Sequence, residues 1–405
     1  MTSSYLFSEE AIELFRRLKR PFIRTSAAFL IVFLCSCSVR AADVTSKALT
    51  EKFQEAETAG KTANRYSDIT DAVENGEDDI RTLLSEILSA AAAWPADFGM
   101  PSEISSLTAR GPYQLCSITA EECELEKLIY LVLSGDTVVG AVTVRLEKGA
   151  VGGCYSSDFS GTLNSAEDTD NFIYVETAGG FCAVDRSGEI IMLRGSADVF
   201  SGLGTYDLPD PGELSVGEYD FDITPGTGIS VTVPAVSQYE DGDCYLCFLG
   251  CITALVKARE PETYHGLTVS GACDMIYDRL KPLGGKYTQY YMDCAENTRY
   301  VIENAFLDQG ALYHRCADFN GSMTVSEYID AVDRKEIVIC VGFGKNALHS
   351  VVMCGCTERP SGGIFVTIMD PYTGSHHLVS WSEGRFGFDF SSSAVYMGEY
   401  VISYY

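Results

Sequence analysis

The chain has 405 residues, 46% hydrophobic and 21% charged, which is enough apolar material for more than one buried core and too much for a disordered chain. Its formal net charge of -28 repels phosphate backbones and anionic headgroups, so nucleic-acid binding is disfavoured. At the start, Arg16, Arg17, Lys19, Arg20 and Arg24 form a basic cluster ahead of an uninterrupted apolar run, Ala27 to Leu34. That run is well short of the ~20 apolar residues that a membrane-spanning helix needs. Basic then briefly apolar reads as an export signal, although the stretch ahead of it is long for a leader.

Leu34-Cys35-Ser36-Cys37 follows, and it resembles a bacterial lipoprotein box in which Cys37 becomes the lipidated first residue of the mature protein. Cys35 is unusual inside such a box, and cleavage after Ala41 is the competing reading. The expected location is the cell surface, held by a lipid anchor, or the secreted fraction. With Cys35 removed, Cys37 lipidated and one cysteine catalytic, an even number of the 15 cysteines remains. Export permits disulfides, but spacing does not fix their pairing, and small buried thiols explain many of them equally well.

Residues 37–76 read as a polar stalk, flexible or loosely helical. Asp78 to Ala93 predicts a helix, with Ile80, Leu83, Leu84, Ile87 and Leu88 on one face and a stop at Pro95 and Gly99. From about 110 the pattern becomes that of strands. Leu128 to Leu146 predicts a hairpin turning at Ser134-Gly135-Asp136, and shorter strands follow at 172–175, 181–184 and 189–193. Residues 77–228 are therefore expected to form a small α+β, mostly antiparallel unit, either an inhibitory pro-segment or a docking or spacer domain. No histidine precedes His265, so this unit cannot supply a Cys-His pair. Pro- and Gly-rich punctuation places the boundary near 225–230.

The strongest chemical signal lies beyond it. Asp241-Gly242-Asp243 is a turn or cap, and the nearly all-apolar stretch from Tyr245 to Lys257 predicts a buried helix, which sets Cys244 at a helix N-terminus. Unpaired amides there stabilise a thiolate, whose pKa can fall from ~8.5 to roughly 3.5–7.5. Gln238, six residues earlier, is a candidate oxyanion donor. Of the five histidines, His349 opens the strand pattern LHSVVMCGC, and Asp370 closes another, GIFVTIMDP. A carboxylate there could accept the second ring N–H of His349 and fix its tautomer. Cys247 and Cys251 fall on the same helix and are expected to pack, while His376 and His377 follow a turn and are expected at the surface. Trp381 and Phe386 are expected in the core or a cleft wall.

VPAVSQYEDGDCYLC resembles the opening of a papain-clan catalytic domain, in which a glutamine precedes the nucleophilic cysteine by six residues and an aromatic follows it. ALHSVVMCGC and GIFVTIMDPYTG resemble the matching second half. The pattern is most similar to bacteriocin-processing-peptidase-like domains and staphopains, over about 231–405 of an expected catalytic domain at 229–405. It implies an α+β, two-lobed fold, helical lobe against β-rich lobe, with Cys244 as nucleophile, His349 as base, Asp370 as orienting acid and Gln238 in the oxyanion hole. It also implies a peptide or protein substrate and no metal or organic cofactor. Tyr245 in place of Trp and Asp370 in place of Asn depart from the common pattern; Tyr372 would shield the His349–Asp370 pair. A cell-wall amidase or transglutaminase-like acyltransferase uses the same chain order of Cys, His and acid, and a catalytically dead binding module is the third alternative.

Overall fold

The computed structural model describes residues 61–118, 123–147, 150–165, 172–177, 180–184, 190–195, 214, 216–239, 247–280, 312–316, 324–343, 348–382, 385–386 and 395–404. The export signal, Cys37 and Cys244 lie outside these residues. Within them the chain is α+β, and no helix is long and apolar enough to cross a membrane.

The N-terminal part begins with one long helix, α1 (Lys61–Ala91), that starts well ahead of the expected Asp78. Its stripe of Ile80, Leu83, Leu84, Ile87 and Leu88 is buried as the spacing predicts. Strands β1 (Ser106–Ile118), β2 (Cys123–Ser134), β3 (Thr137–Glu147) and β4 (Ala150–Ser156) form an antiparallel meander. The expected hairpin is β2–β3, with Ser134 opposite Thr137 and Gly135 at φ +60° in the turn. Alternation along β2 feeds two cores: Leu128, Tyr130 and Val132 face the core under α1, and Ile129, Leu131 and Leu133 face the other side. The short helix α2 (Ser160–Leu163) closes that second core with Phe159 and Leu163. Strands β5 (Ile173–Thr177), β6 (Gly180–Val184) and β7 (Ile190–Gly195) extend the sheet from β1, the β1–β5 pair being parallel. Strand β8 (Gly217–Asp222) also pairs with β1, and β9 (Gly228–Ser230) leads into the second part.

There, helices α3 (Cys247–Arg259), α4 (Pro261–Tyr264) and α5 (Val269–Leu280) precede β10 (Leu312–Cys316) and α6 (Val325–Asp333). The antiparallel strands β11 (Ile337–Phe343), β12 (Leu348–Glu358), β13 (Ile364–Asp370), β14 (Ser375–Ser382), β15 (Arg385–Phe386) and β16 (Val395–Tyr404) follow. Apolar residues surround α3, which seats Phe248, Leu249, Ile252, Leu255 and Val256 against α5 and one face of β11–β13. On the opposite face, α6 carries a Thr324/Glu327 capping box and packs Tyr328 against Trp381, a fully buried core residue.

The two parts share one sheet. Strand β14 pairs with β4 through His377↔Ser156, Leu378↔Tyr155 and Val379↔Cys154, giving the order β10-β16-β11-β12-β13-β14-β4-β3-β2-β1-β5-β6-β7. Phe365 and Leu378 of the second part complete the core beneath α1. Glu86 of α1 accepts from Arg359 Nε at 3.0 Å and from the Ser361 backbone at 2.7 Å, pinning the helix to the β12–β13 hairpin. At Gly228 the chain threads so closely between Trp94 and Cys356 that a Cβ would stand 2.3 Å from the indole.

A core shared in this way requires cooperative unfolding. The protein has two tryptophans, Trp94 beside the α1 core and Trp381 in the core under α6. Trp94→Phe and Trp381→Phe each leave one reporter; after correction for the stability change of each substitution, their fluorescence-monitored urea midpoints are expected to coincide with those from circular dichroism. Separate transitions would show that the parts unfold independently.

Candidate functional site

Four segments distant in sequence converge beside the C-terminal end of β13. The first is the 237–239 stretch. Gln238 is buried, 6% exposed, and its backbone N–H donates to the Pro371 carbonyl at 2.7 Å. Tyr239 packs edge-on against Tyr372, ring centroids 5.6 Å apart. The Ser237 side chain fills the space beside Gly374, whose φ of +68° lets the turn close with Gly374 N–H donating to Asp370 O at 2.8 Å.

The second is α3. The helix crosses Pro371 at Gly250, where a Cβ would sit 2.5 Å from the proline Cβ, so this approach requires glycine. Ahead of it, Cys247 Sγ accepts the Ser350 backbone N–H at 3.3 Å. The sequence pattern marks Cys247 as ordinary packing, but its sulfur bonds to the residue next to His349. Cys251 is fully buried, as expected. Thus α3 runs against both the strand that carries His349 and the turn after Asp370, and Cys244 lies three residues before the first described residue of this helix.

The third is β12. His349 pairs with Gly342 of β11, and three residues along the strand Val352 pairs with Met369, the neighbour of Asp370. The backbone register therefore brings His349 and Asp370 onto adjacent strands at the same end of the sheet.

The fourth is the Asp370–Gly374 turn with β14. Asp370 has no exposed surface, and its Oδ1 accepts the Tyr372 N–H at 2.9 Å. Thr373 Oγ1 donates to Asp370 O at 3.3 Å, accepts from Ser375 Oγ at 2.9 Å and lies 2.7 Å from His377 Nε2. The surface position expected for His376 and His377 is overturned. They are 9% and 3% exposed, because β14 is an interior strand flanked by β13 and β4 rather than a continuation of the turn. His376 Nε2 donates to Val233 O at 3.0 Å. His377 lines a cavity of about 50 Å³, room for a water or two, together with Asp370, Asp158, Glu176 and Arg194.

Burial lowers the pKa of both histidines below 6.5. For His377 the nearby Asp158 and Asp370 oppose that fall, and Arg194 and His376 reinforce it; for His376 the opposition comes from Asp97 and the Val233 bond. Arg194 is different: burial disfavours its charge, yet Asp158, Glu176, Tyr372 and Asp370 outweigh this and raise its pKa. Burial also pushes the Cys182 thiol up to about 12 and Cys356 up to about 11, and raises Cys354, which favours the protonated thiol at neutral pH. Among the described residues, no group of three His, Cys, Asp or Glu side chains is arranged to hold a metal ion.

Arg194 and His377 carry no sequence signal for this position. One ends a short strand of the N-terminal part and the other follows a turn; the β13–β14 hairpin sets His377 near Asp370, and the β4–β14 pairing buries it and brings Arg194 to the same place. A scan against protein-family models and a search of curated proteins return no match to this chain.

Two outcomes follow. Replacing Gly250 with leucine forces Pro371 away from α3 and is expected to destabilise the fold by about 1–3 kcal/mol despite better helix propensity, measured by urea unfolding. For the histidines, the unfolded chain binds protons that the native chain excludes. Stability is therefore full above pH 6.5 and declines as pH falls through the window below it. His377→Gln is expected to flatten the unfolding free energy measured between about pH 6.5 and 5.5. An unchanged slope would mean that His377 is not held neutral.

Proposed function

We propose that the chain is an exported cysteine peptidase with a papain-like two-lobed catalytic unit, in which α3 and α5 contribute to the helical side and β11–β16 the β-rich side. The observation that carries the reading is the convergence of the Gln238 segment, the helix that follows Cys244, the strand of His349 and the turn after Asp370. A nucleophile, a base, an orienting acid and an amide donor from separate segments are what acyl transfer through a thioester requires. The order of these residues along the chain, and their resemblance to the papain clan, supply the roles.

Cys244, as thiolate, attacks the carbonyl carbon of the scissile peptide. The backbone N–H of Cys244 and the side-chain amide of Gln238 hold the oxyanion, each such donor contributing roughly 2.7–4 kcal/mol in the transition state. His349 protonates the departing amine, leaving a thioester. It then takes a proton from water, whose oxygen attacks the thioester and releases the acid. Asp370 holds the imidazole tautomer, and its complete burial strengthens that hold. Lipid attachment through Cys37 would keep the enzyme at the membrane surface.

Cys244→Ala is expected to abolish labelling by an active-site thiol probe and to lower casein hydrolysis by about 10³-fold or more, with His349→Ala doing the same. Cys247→Ala and Cys251→Ala are expected to retain labelling. Hydrolysis of purified peptidoglycan but not casein would make the enzyme an amidase, and absence of labelling in the wild type would make it an inactive binding module.

A further inference from the structure

Among the side chains that the N-terminal part presents to the candidate site, Arg194 touches the 370–374 turn. Arg194, at the end of β7, is only one-fifth exposed. Its guanidinium lies 5.5 Å from the ring centre of Tyr372 and 5.9 Å from that of Phe181, so it bridges an aromatic ring of the 370–374 turn and one of its own sheet. Behind it stand Asp158 at 3.4 Å and Glu176 at 3.7 Å. Those carboxylates are themselves fixed, Glu176 by Lys127 at 3.3 Å and Asp158 by a hydrogen bond from Ser156. Lys127 is 1% exposed, and Ser156 pairs with His377 across the β4–β14 seam. The chain of contacts therefore runs from the interior of the N-terminal sheet through Arg194 to Tyr372, whose N–H is bonded to Asp370, and on to Tyr239 beside Gln238.

We propose that Arg194 is a positioning residue for the candidate site: it clamps the Asp370–Gly374 turn from the N-terminal sheet, making that sheet part of the working site rather than a removable mask. This rests on the cysteine-peptidase reading for its effect on turnover, but not for the clamp itself. A planar cation is needed because it must stack on Tyr372 while forking toward two carboxylates, which a lysine does only in part.

The test uses the full chain with Arg194→Met, Arg194→Lys and Tyr372→Ala. Amide hydrogen exchange is read at Tyr372 and Gly374, whose acceptors are Asp370 Oδ1 and Asp370 O. Exchange at both amides is expected to speed up by about tenfold in Arg194→Met and less in Arg194→Lys, with Val352 in the core under α3 unchanged. Casein turnover is expected to fall in kcat with KM preserved, and Arg194→Met combined with Tyr372→Ala to cost little more than either alone. Unchanged exchange at Tyr372 and Gly374, or acceleration equal to that at Val352, overturns the clamp. Faster exchange with unchanged kcat overturns the positioning role. A wild-type chain with no thiol-dependent hydrolysis sinks the peptidase reading, while the exchange result still decides the clamp.

Discussion

The pairing of β14 with β4 is the constraint on which the rest of the structure depends. Three residue pairs, His377↔Ser156, Leu378↔Tyr155 and Val379↔Cys154, join segments more than 200 residues apart into one sheet. Leu378 then enters the core under α1, His377 becomes an interior residue, and Arg194 comes within reach of Tyr372. Without that seam β14 would be an edge strand, and His376-His377 would be the surface pair that their sequence suggests.

Polar groups at the seam are held by one another. Lys127, Glu176, Arg194 and Asp158 form an alternating line of charge running inward from the N-terminal sheet, and Asp370 with His377 stands across a small cavity from it. Buried charges of this kind contribute little net stability compared with a well-packed apolar core, but removing one member leaves another without compensation in a poorly solvated place. Such a network specifies how the two parts dock more than how tightly.

Much of the fold was legible where a single element decides its own pattern. The stripe Ile80, Leu83, Leu84, Ile87 and Leu88 marked α1, alternation with a Gly135 turn marked β2–β3, and a solid apolar run marked the buried α3. The start of α1 at Lys61 was missed because its first turns carry almost no apolar periodicity. In the site, Gln238 and Asp370 could be singled out from spacing, and the structure joins their segments by the Gln238–Pro371 backbone bond. Arg194 and His377 could not be found that way. Their environment is created by strand pairing between distant parts, and no local pattern records a partner on another strand. The same holds for Cys247, whose bond to Ser350 depends on how α3 lies across β12.

The sheet order has a consequence for how the polypeptide acquires its shape. Strand β4 emerges from synthesis long before β14, so until residues 375–382 are made one side of the meander is an open hydrogen-bonding edge with a core that still lacks Phe365 and Leu378. Closure waits on contacts of very large sequence separation, which slows folding and prolongs exposure of a sticky border. A chain with this topology has reason to rely on holding factors until its last strands arrive.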